Sequence, residues 1–361
     1  MMTRRKLIEF GIASCLTGKL TACVRLRDLQ PDCPIDWAPS LLSPVFYGFK
    51  DYPDPAVRVF YPSLDGSVNG AALLLKCERF PLVLLIHGDC GGNPFNQWIS
   101  LPAQLARSGY VVAVTSYGGK LGNGDPAITA PLRDVHDWMR NRWEHRERLM
   151  PVPNTAVVGH SFGATLGAQL VTEIPVTAFA GLSGTFGQLS NPASALSRIR
   201  VPSLFTWNNV DDIVLGAELF NANQPPETQM WFKVGIPKHG VIFEGGNHGD
   251  YMLLDSAPRC AQQGKCHLVR LLADDFVTTF LTKYLQPEFA FTAFTWVPDS
   301  LFVRPQNLPL PPRGGFYSGS YLQGFAASVQ SPARPSKNCV ENVMWETAAS
   351  TGSTFVTSST S

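Results

Sequence analysis

Thr155-Ala156-Val157-Val158-Gly159-His160-Ser161-Phe162-Gly163-Ala164 decides the architecture of this chain. Thr155–Val158 is an apolar run of strand length, and from Phe162 to Thr172 the residues suit a helix. Between the two, glycines bracket a serine as G-x-S-x-G, the spacing of a tight turn where a strand feeds directly into a helix. The same alternation extends outward. Pro81–Ile86, Tyr110–Val114, Val176–Ala180, Pro202–Trp207 and Gly240–Phe243 are continuous apolar runs, as expected of strands covered on both faces. Val57–Tyr61 alternates like a half-exposed strand, and Pro62–Gly70 is a turn-rich link. Helical patterns occupy Phe95–Arg107, Ala130–Trp143, Gln229–Val234 and His267–Tyr284; in the last, Leu268, Leu271, Leu272, Phe276, Phe280 and Leu281 recur at helical spacing. Strands alternating with helices predict an α/β fold with a mostly parallel, doubly wound sheet.

Composition narrows the function classes. Hydrophobic residues make up 45% of the 361 and charged residues 16%, enough apolar mass for one large core and incompatible with a mostly disordered chain. Lys and Arg number 29 against 28 Asp and Glu, so a net charge of +1 gathers no polyanion and disfavours nucleic acid as a partner. The eight cysteines include no C-x-x-C pair, and no histidines cluster at ligand spacing, so neither a metal site nor a cofactor is expected.

The chemistry centres on Ser161. A serine on a sharp strand-to-helix turn is the setting of a nucleophile elbow: the flanking glycines avoid collisions with neighbouring backbone, and the helix dipole faces a developing anion. His87-Gly88-Asp89-Cys90-Gly91-Gly92 follows the buried strand Pro81–Ile86, a second glycine-rich strand-to-helix connection. Cys90 is a weak rival nucleophile because it has no elbow. Between Ser161 and Val210 the sole carboxylate is Glu173, at the far end of the helix after the turn; Asp211 and Asp212 then follow the strand Pro202–Trp207. One of these two aspartates is also placed to cap a turn before Ile213. In the chain order serine, acid, histidine, the bases left are His239, His248 and His267. His248 lies in a glycine-flanked loop just past the strand Gly240–Phe243, whereas His239 precedes that strand and His267 opens the last helix, both as ordinary surface histidines. His87 ends a strand and is expected to brace its loop.

From Val57 to Tyr284, about two-thirds of its length, the chain resembles the serine esterases of the α/β-hydrolase superfamily. Phe80-Pro81-Leu82-Val83 and Gly159-His160-Ser161-Phe162-Gly163-Ala164 are similar to the branch of platelet-activating-factor acetylhydrolases, chlorophyllases and dienelactone-hydrolase-like enzymes. Ala164 departs from that branch, which often has a further glycine there, and so does Ser161, where dienelactone hydrolases use cysteine. Trp207-Asn208-Asn209-Val210-Asp211-Asp212-Ile213-Val214 resembles the superfamily's G-x-x-D-x-x-V loop with Asn208 in the glycine position, an alignment that favours Asp211 as the acid and Asp212 as its solvent-facing neighbour. The resemblance implies Ser161 as nucleophile, His248 as base, and the N–H groups of Asp89 and Phe162 as oxyanion donors. About 20 residues separate Ala180 from Pro202, too few for a large cap domain. The expected activity is hydrolysis of a small-molecule carboxylic ester through an acyl-enzyme; acyl transfer by the same residues, or a non-catalytic binding protein on this fold, are the alternatives.

The ends of the chain read differently. Residues 1–23 resemble an export signal: Arg4-Arg5 is similar to the twin-arginine motif, Leu7–Leu16 is mostly apolar, and Leu20-Thr21-Ala22-Cys23 resembles a lipobox that would place a lipid on Cys23. This predicts an exported protein that meets a membrane only through that lipid; a cytoplasmic protein with an uncleaved N-terminus is the alternative. Setting aside Cys15 and Cys23, six cysteines remain, with Cys260–Cys266 the favoured disulfide. Residues 24–43 read as a linker, 44–286 as the catalytic domain, and 287–361 as an irregular extension. From Thr347 to Ser361 ten of fifteen residues are Ser or Thr, a composition expected to stay largely disordered. No pattern specifies an oligomeric state.

Overall fold

The structure, a computed structural model, describes residues 46–63, 69–73, 79–89, 93–116, 129–188, 192–208, 211, 213–214, 233–235, 238–243, 246–252, 267–286, 343–349 and 352–353. Ten strands form one sheet: β1 (Phe46–Pro53), β2 (Ala56–Ser63), β3 (Leu82–Ile86), β4 (Val111–Thr115), β5 (Thr155–His160), β6 (Ala178–Leu182), β7 (Ser203–Asn208), β8 (Lys238–Phe243), β9 (Val343–Ala349) and β10 (Gly352–Ser353). Their order across the sheet is β1-β2-β4-β3-β5-β6-β7-β8-β9-β10. The six strands from β4 to β8 in that order run parallel, and β1, β2, β9 and β10 join antiparallel at the edges. The helices are α1 (Pro94–Gln97), α2 (Ser100–Arg107), α3 (Ala130–Asn141), α4 (Phe162–Leu170), α5 (Pro192–Ser197) and α6 (His267–Leu285).

Helices cover the parallel strands on both faces, and the period-2 geometry of a strand divides the core between them. Leu82, Leu84 and Ile86 of β3 pack with Leu132, Val135 and Met139 of α3 and Leu166 and Leu170 of α4. Val83 and Leu85 of the same strand pack with Leu101 and Leu105 of α2 and Leu272, Phe276 and Phe280 of α6. Because β3 lies between β4 and β5, the winding of the chain reverses beside it. In open α/β sheets a ligand crevice forms outside the carboxyl ends of the strands at such a reversal.

Backbone at that reversal is packed too closely for side chains. A Cβ at Gly163 would lie 2.3 Å from Ile86 O and 2.4 Å from His87 O, and one at Gly159 would lie 2.3 Å from Gly163 O. The head of α4 therefore sits directly on the carboxyl end of β3. Ser161, between the two glycines, is held at φ 55° and ψ −125°, a left-handed backbone that L residues rarely adopt.

Several elements differ from the sequence expectation. Phe95–Arg107 is two helices, because Asn93 caps a first short turn at Phe95 N (2.9 Å) and Trp98 leaves helical geometry at φ −106°, ψ 83° to bury its indole. The strand expected at Val57–Tyr61 runs over Ala56–Ser63 and is mostly buried, since β1 shields its outer edge in a hairpin that carries no alternating signal. His239 is not a surface histidine. β8 begins at Lys238, so His239 lies inside it, 4% exposed, with Nε2 2.8 Å from Tyr284 Oη. Burial, reinforced by Lys283, lowers its pKa to about 3 and keeps it neutral. The extension 287–361 is not irregular throughout, because Val343–Ala349 pairs along β8 from Phe243↔Val343 to His239↔Thr347. That pairing supplies partners for an edge that β8 would otherwise leave open. Residues 1–45, most of Gln229–Val234, and Cys33, Cys77, Cys260, Cys266 and Cys339 lie outside the described residues. No described helix is long and apolar enough to cross a membrane.

Two predictions follow from this packing. Gly163→Ala is expected to lower the melting temperature by about 10 °C or to prevent folding, because backbone carbonyls cannot yield to the new methyl. Gly167→Ala is expected to be much milder, since there the nearest atoms are the Phe179 and Val157 side chains at 3.0 Å. Thermal unfolding of the two variants ranks them. The second concerns the contact between α2 and α6, where Ser100 Oγ donates to Asp274 Oδ2 and Gln104 Nε2 donates to Asp275 Oδ1 at 2.8 Å. Burial pushes the Asp274 carboxyl up to about 8, so the folded protein holds a proton that the unfolded chain releases in the ordinary carboxylate range. This group costs stability progressively as pH rises through that window. Asp274→Asn is therefore expected to melt at an increasingly higher temperature than the wild type as pH rises from about 4 to about 8; a pH-independent difference would contradict it.

Candidate active site

The turn that strains Ser161 also aims it. Its N–H donates to Leu182 O of β6 (2.8 Å), and its carbonyl accepts from Ala164 N and Thr165 N at the start of α4 and from Thr185 N. The residue is held from both sides by main chain and is 6% exposed. At the head of α4 the N–H of Phe162 has no intrahelical acceptor, as in any first helical turn, and it adjoins the serine. His87-Gly88-Asp89, after β3, presses on the same point: a Cβ at Gly88 would lie 2.6 Å from Ser161 Cβ. His87 Nδ1 bonds Gly88 O at 2.7 Å, and burial lowers its pKa, so it braces the loop in the neutral form. The Asp89 side chain is exposed beside it.

Asp211 follows β7 and is buried. Oδ1 accepts the N–H groups of Ile213 (3.0 Å) and Val214 (2.8 Å), and Oδ2 lies 2.9 Å from His248 Nδ1. One aspartate thus performs both duties open to the pair, capping the turn before Ile213 and meeting the histidine; Asp212 lies outside the described residues, as does Cys90. A carboxylate only accepts, so Nδ1 carries the proton in this bond and the Nε2 lone pair of neutral His248 is left as the basic site.

His248 opens a 3-10 turn, His248–Tyr251, after β8. Asn247 caps it by accepting His248 N at Oδ1 (2.6 Å), while Asp250 Oδ2 accepts Asn247 N (2.7 Å), a reciprocal capping box. Tyr251 roots the turn in the sheet, its hydroxyl accepting from Thr206 Oγ1 of β7 (3.0 Å) and Ser183 Oγ (3.3 Å). Ser183, at the end of β6, is the other non-glycine residue with positive φ among those described, at 40°.

His160 joins the serine to the histidine. Its Nε2 donates to His248 O (3.1 Å), and its ring centroid lies 4.8 Å from that of His248, 5.3 Å from Tyr251 and 5.4 Å from Trp98. Complete burial, with His248 adjacent, drives its pKa well below the ordinary histidine value, so it acts as a neutral donor. Ser161 and His248 approach each other through this residue; no direct hydrogen bond joins their side chains. Apo sites often close such a bond only when substrate binds.

The structure therefore gathers Ser161, Phe162, Asp89, Asp211 and His248 at the carboxyl edge of the sheet, at and beyond the winding reversal. Sequence reasoning missed His160, Tyr251 and Asn208 as supports of this cluster. The Asn247-x-x-Asp250 spacing could have revealed the capping box; the three buried supports carry no comparable local signal.

No protein-family model matches the chain. Over 166 residues, 43% of its length, it is 25% identical to the acylamino-acid-releasing enzymes of Sus scrofa and Mus musculus, and 24% identical to that of Homo sapiens over an equal length. The chain spans about a fifth of the length of these curated relatives.

Proposed function

We propose that this chain is a serine hydrolase of the α/β-hydrolase fold, without a large cap domain, that cleaves small carboxylic esters through an acyl-enzyme. The observation that carries the reading is the buried 2.9 Å contact of His248 Nδ1 with Asp211 Oδ2 beside a serine at φ 55° on a strand-to-helix turn. In this reading the Ser161 hydroxyl attacks the ester carbonyl carbon while His248 Nε2 takes its proton. The carbonyl oxygen becomes an oxyanion facing the N–H groups of Phe162 and Asp89. Collapse breaks the bond to the alcohol, which leaves with the proton from His248, and a water repeats the sequence to free the acid and the serine. Asp211, fixed at Oδ1 by two backbone N–H groups, presents Oδ2 to one ring nitrogen and so sets the tautomer. The absence of a large cap is supported by the β6–β7 connection, in which the described residues form a short 3-10 turn at Phe186–Gln188 and the six-residue α5.

The likeness to acylamino-acid-releasing enzymes favours a second reading with the same residues, in which the scissile bond is the amide after an acylated amino acid. Turnover of a p-nitrophenyl ester against an N-acetyl-amino-acid p-nitroanilide separates the two, and the ester reading requires the ester to be preferred.

An alkyl fluorophosphonate is expected to modify Ser161, identified by peptide mapping; modification elsewhere, or none on folded protein, would overturn the assignment. Ser161→Ala is expected to lower kcat by roughly 10⁴ to 10⁶. Asp211→Asn is expected to impair turnover far more than Asp212→Asn with both proteins folded by circular dichroism, and the opposite ranking would transfer the role to Asp212.

A further inference from the structure

Asn208 is the last residue of β7 and is 1% exposed. Its backbone carbonyl accepts Asp211 N (3.4 Å), and its side-chain Nδ2 donates to Asn247 O (2.7 Å). One residue is thereby bonded to the loop of Asp211 through its main chain and to the loop of His248 through its side chain. With the His248–Asp211 contact the bonds close a ring through Asn208, Asp211, His248 and Asn247. The orientation of the amide is dictated, because a carbonyl such as Asn247 O must face a donor. Oδ1 is left buried without a hydrogen-bond partner, pressed against Gly246, where a Cβ would lie 2.5 Å from it. An unsatisfied buried acceptor lowers stability, a cost that a smaller residue at 208 would avoid.

We propose that Asn208 is a positioning residue that fixes the His248 loop against the Asp211 loop, so that His248 Nε2 is presented to Ser161. The carbonyl on the N-terminal side of His248, Asn247 O, is held by Asn208, and the carbonyl of His248 itself by His160. These two bonds fix the main chain from which the imidazole projects, and the Nδ1 contact with Asp211 holds the ring. A displacement on the order of 1 Å at such a base costs about a hundredfold in rate.

This inference rests on the hydrolase reading, and the test keeps the two apart by using a signal independent of turnover. In the wild type the His248 Nδ1 proton held by Asp211 is expected as a low-field proton NMR resonance. In Asn208→Gly the resonance is expected to weaken or vanish and kcat for a p-nitrophenyl ester to fall by roughly 10- to 100-fold, with KM changing by less than about threefold. Asn208→Asp keeps the volume and carries the test where Asn208→Gly does not fold. Its carboxyl can donate to Asn247 O only while protonated, so its kcat relative to wild type is expected to rise as the pH falls from about 8 to about 6. An unchanged resonance with kcat within about twofold of wild type in the folded variant, whatever its melting temperature, would overturn the proposal. A wild type that shows the resonance but turns over neither the p-nitrophenyl ester nor the N-acetyl-amino-acid p-nitroanilide would defeat the hydrolase reading, and the effect of the substitutions on the resonance would still decide the role of Asn208.

Discussion

Backbone meets backbone where α4 leaves β5, and the rest of the site depends on that approach. With no Cβ at positions 159 and 163, the first turn of α4 settles onto the carboxyl end of β3, and the chain between the two glycines turns sharply enough to hold Ser161 at positive φ. That placement lines the helix N–H groups up beside the serine and brings the loop after β3 to within van der Waals contact of it. It also falls where the winding of the sheet reverses, the place where open α/β sheets bind ligands outside the strand ends. The strain at Ser161 is a local cost that the surrounding core offsets, with β5 entirely buried and flanked by parallel strands on both sides.

Around this point the hydrogen bonds fix which atom of each polar group donates and which accepts. His160 is neutral because charging it in full burial is costly, and its bond to a carbonyl fixes the proton on Nε2. His248 must carry its proton on Nδ1 to meet Asp211, which leaves Nε2 as the basic atom. Tyr251, also wholly buried, has its hydroxyl pushed toward the neutral form by burial and spans the ends of β6 and β7. Of the buried carboxylates here, Asp250 is taken up by the Asn247 N–H in the capping box, and Asp211 is the one that meets the imidazole.

Much of this was legible in the sequence because the elements concerned are strongly patterned. A parallel strand buried on both faces reads as a continuous apolar run, and on that basis the sequence marks all six parallel strands within two residues of their observed bounds. β8 starts two residues before its apolar run, because Lys238 and His239 look like loop residues until Tyr284 and Phe280 of α6 are seen to cover His239 and Val234 O to receive the Lys238 ammonium. β1 went unread since Phe46–Pro53 mixes charged and aromatic residues without alternation, and its register is set by the partner strand. The helix expected over Phe95–Arg107 was divided by one buried indole, a tertiary effect invisible to periodicity. β9 lies in a stretch whose neighbours are Ser- and Thr-rich, and it gains its order from the open edge of β8. At the site, order along the chain and distance from strand ends singled out Ser161 and His248. The choice between Asp211 and Asp212 needed the resemblance, and the supporting bonds of His160, Asn208 and Tyr251 depend on contacts 39 to 88 residues apart.

The central claim is that Ser161 carries the acyl group during turnover. Acid quenching of the enzyme early in its reaction with p-nitrophenyl acetate, followed by intact-mass measurement and peptide mapping, tests this most directly. The account predicts one added acetyl group, on Ser161, that decays as the product acid is released and that is missing when His248 is replaced by alanine. Hydrolysis without an acylated Ser161, or an acetyl group that accumulates on another residue at the rate of turnover, would contradict it.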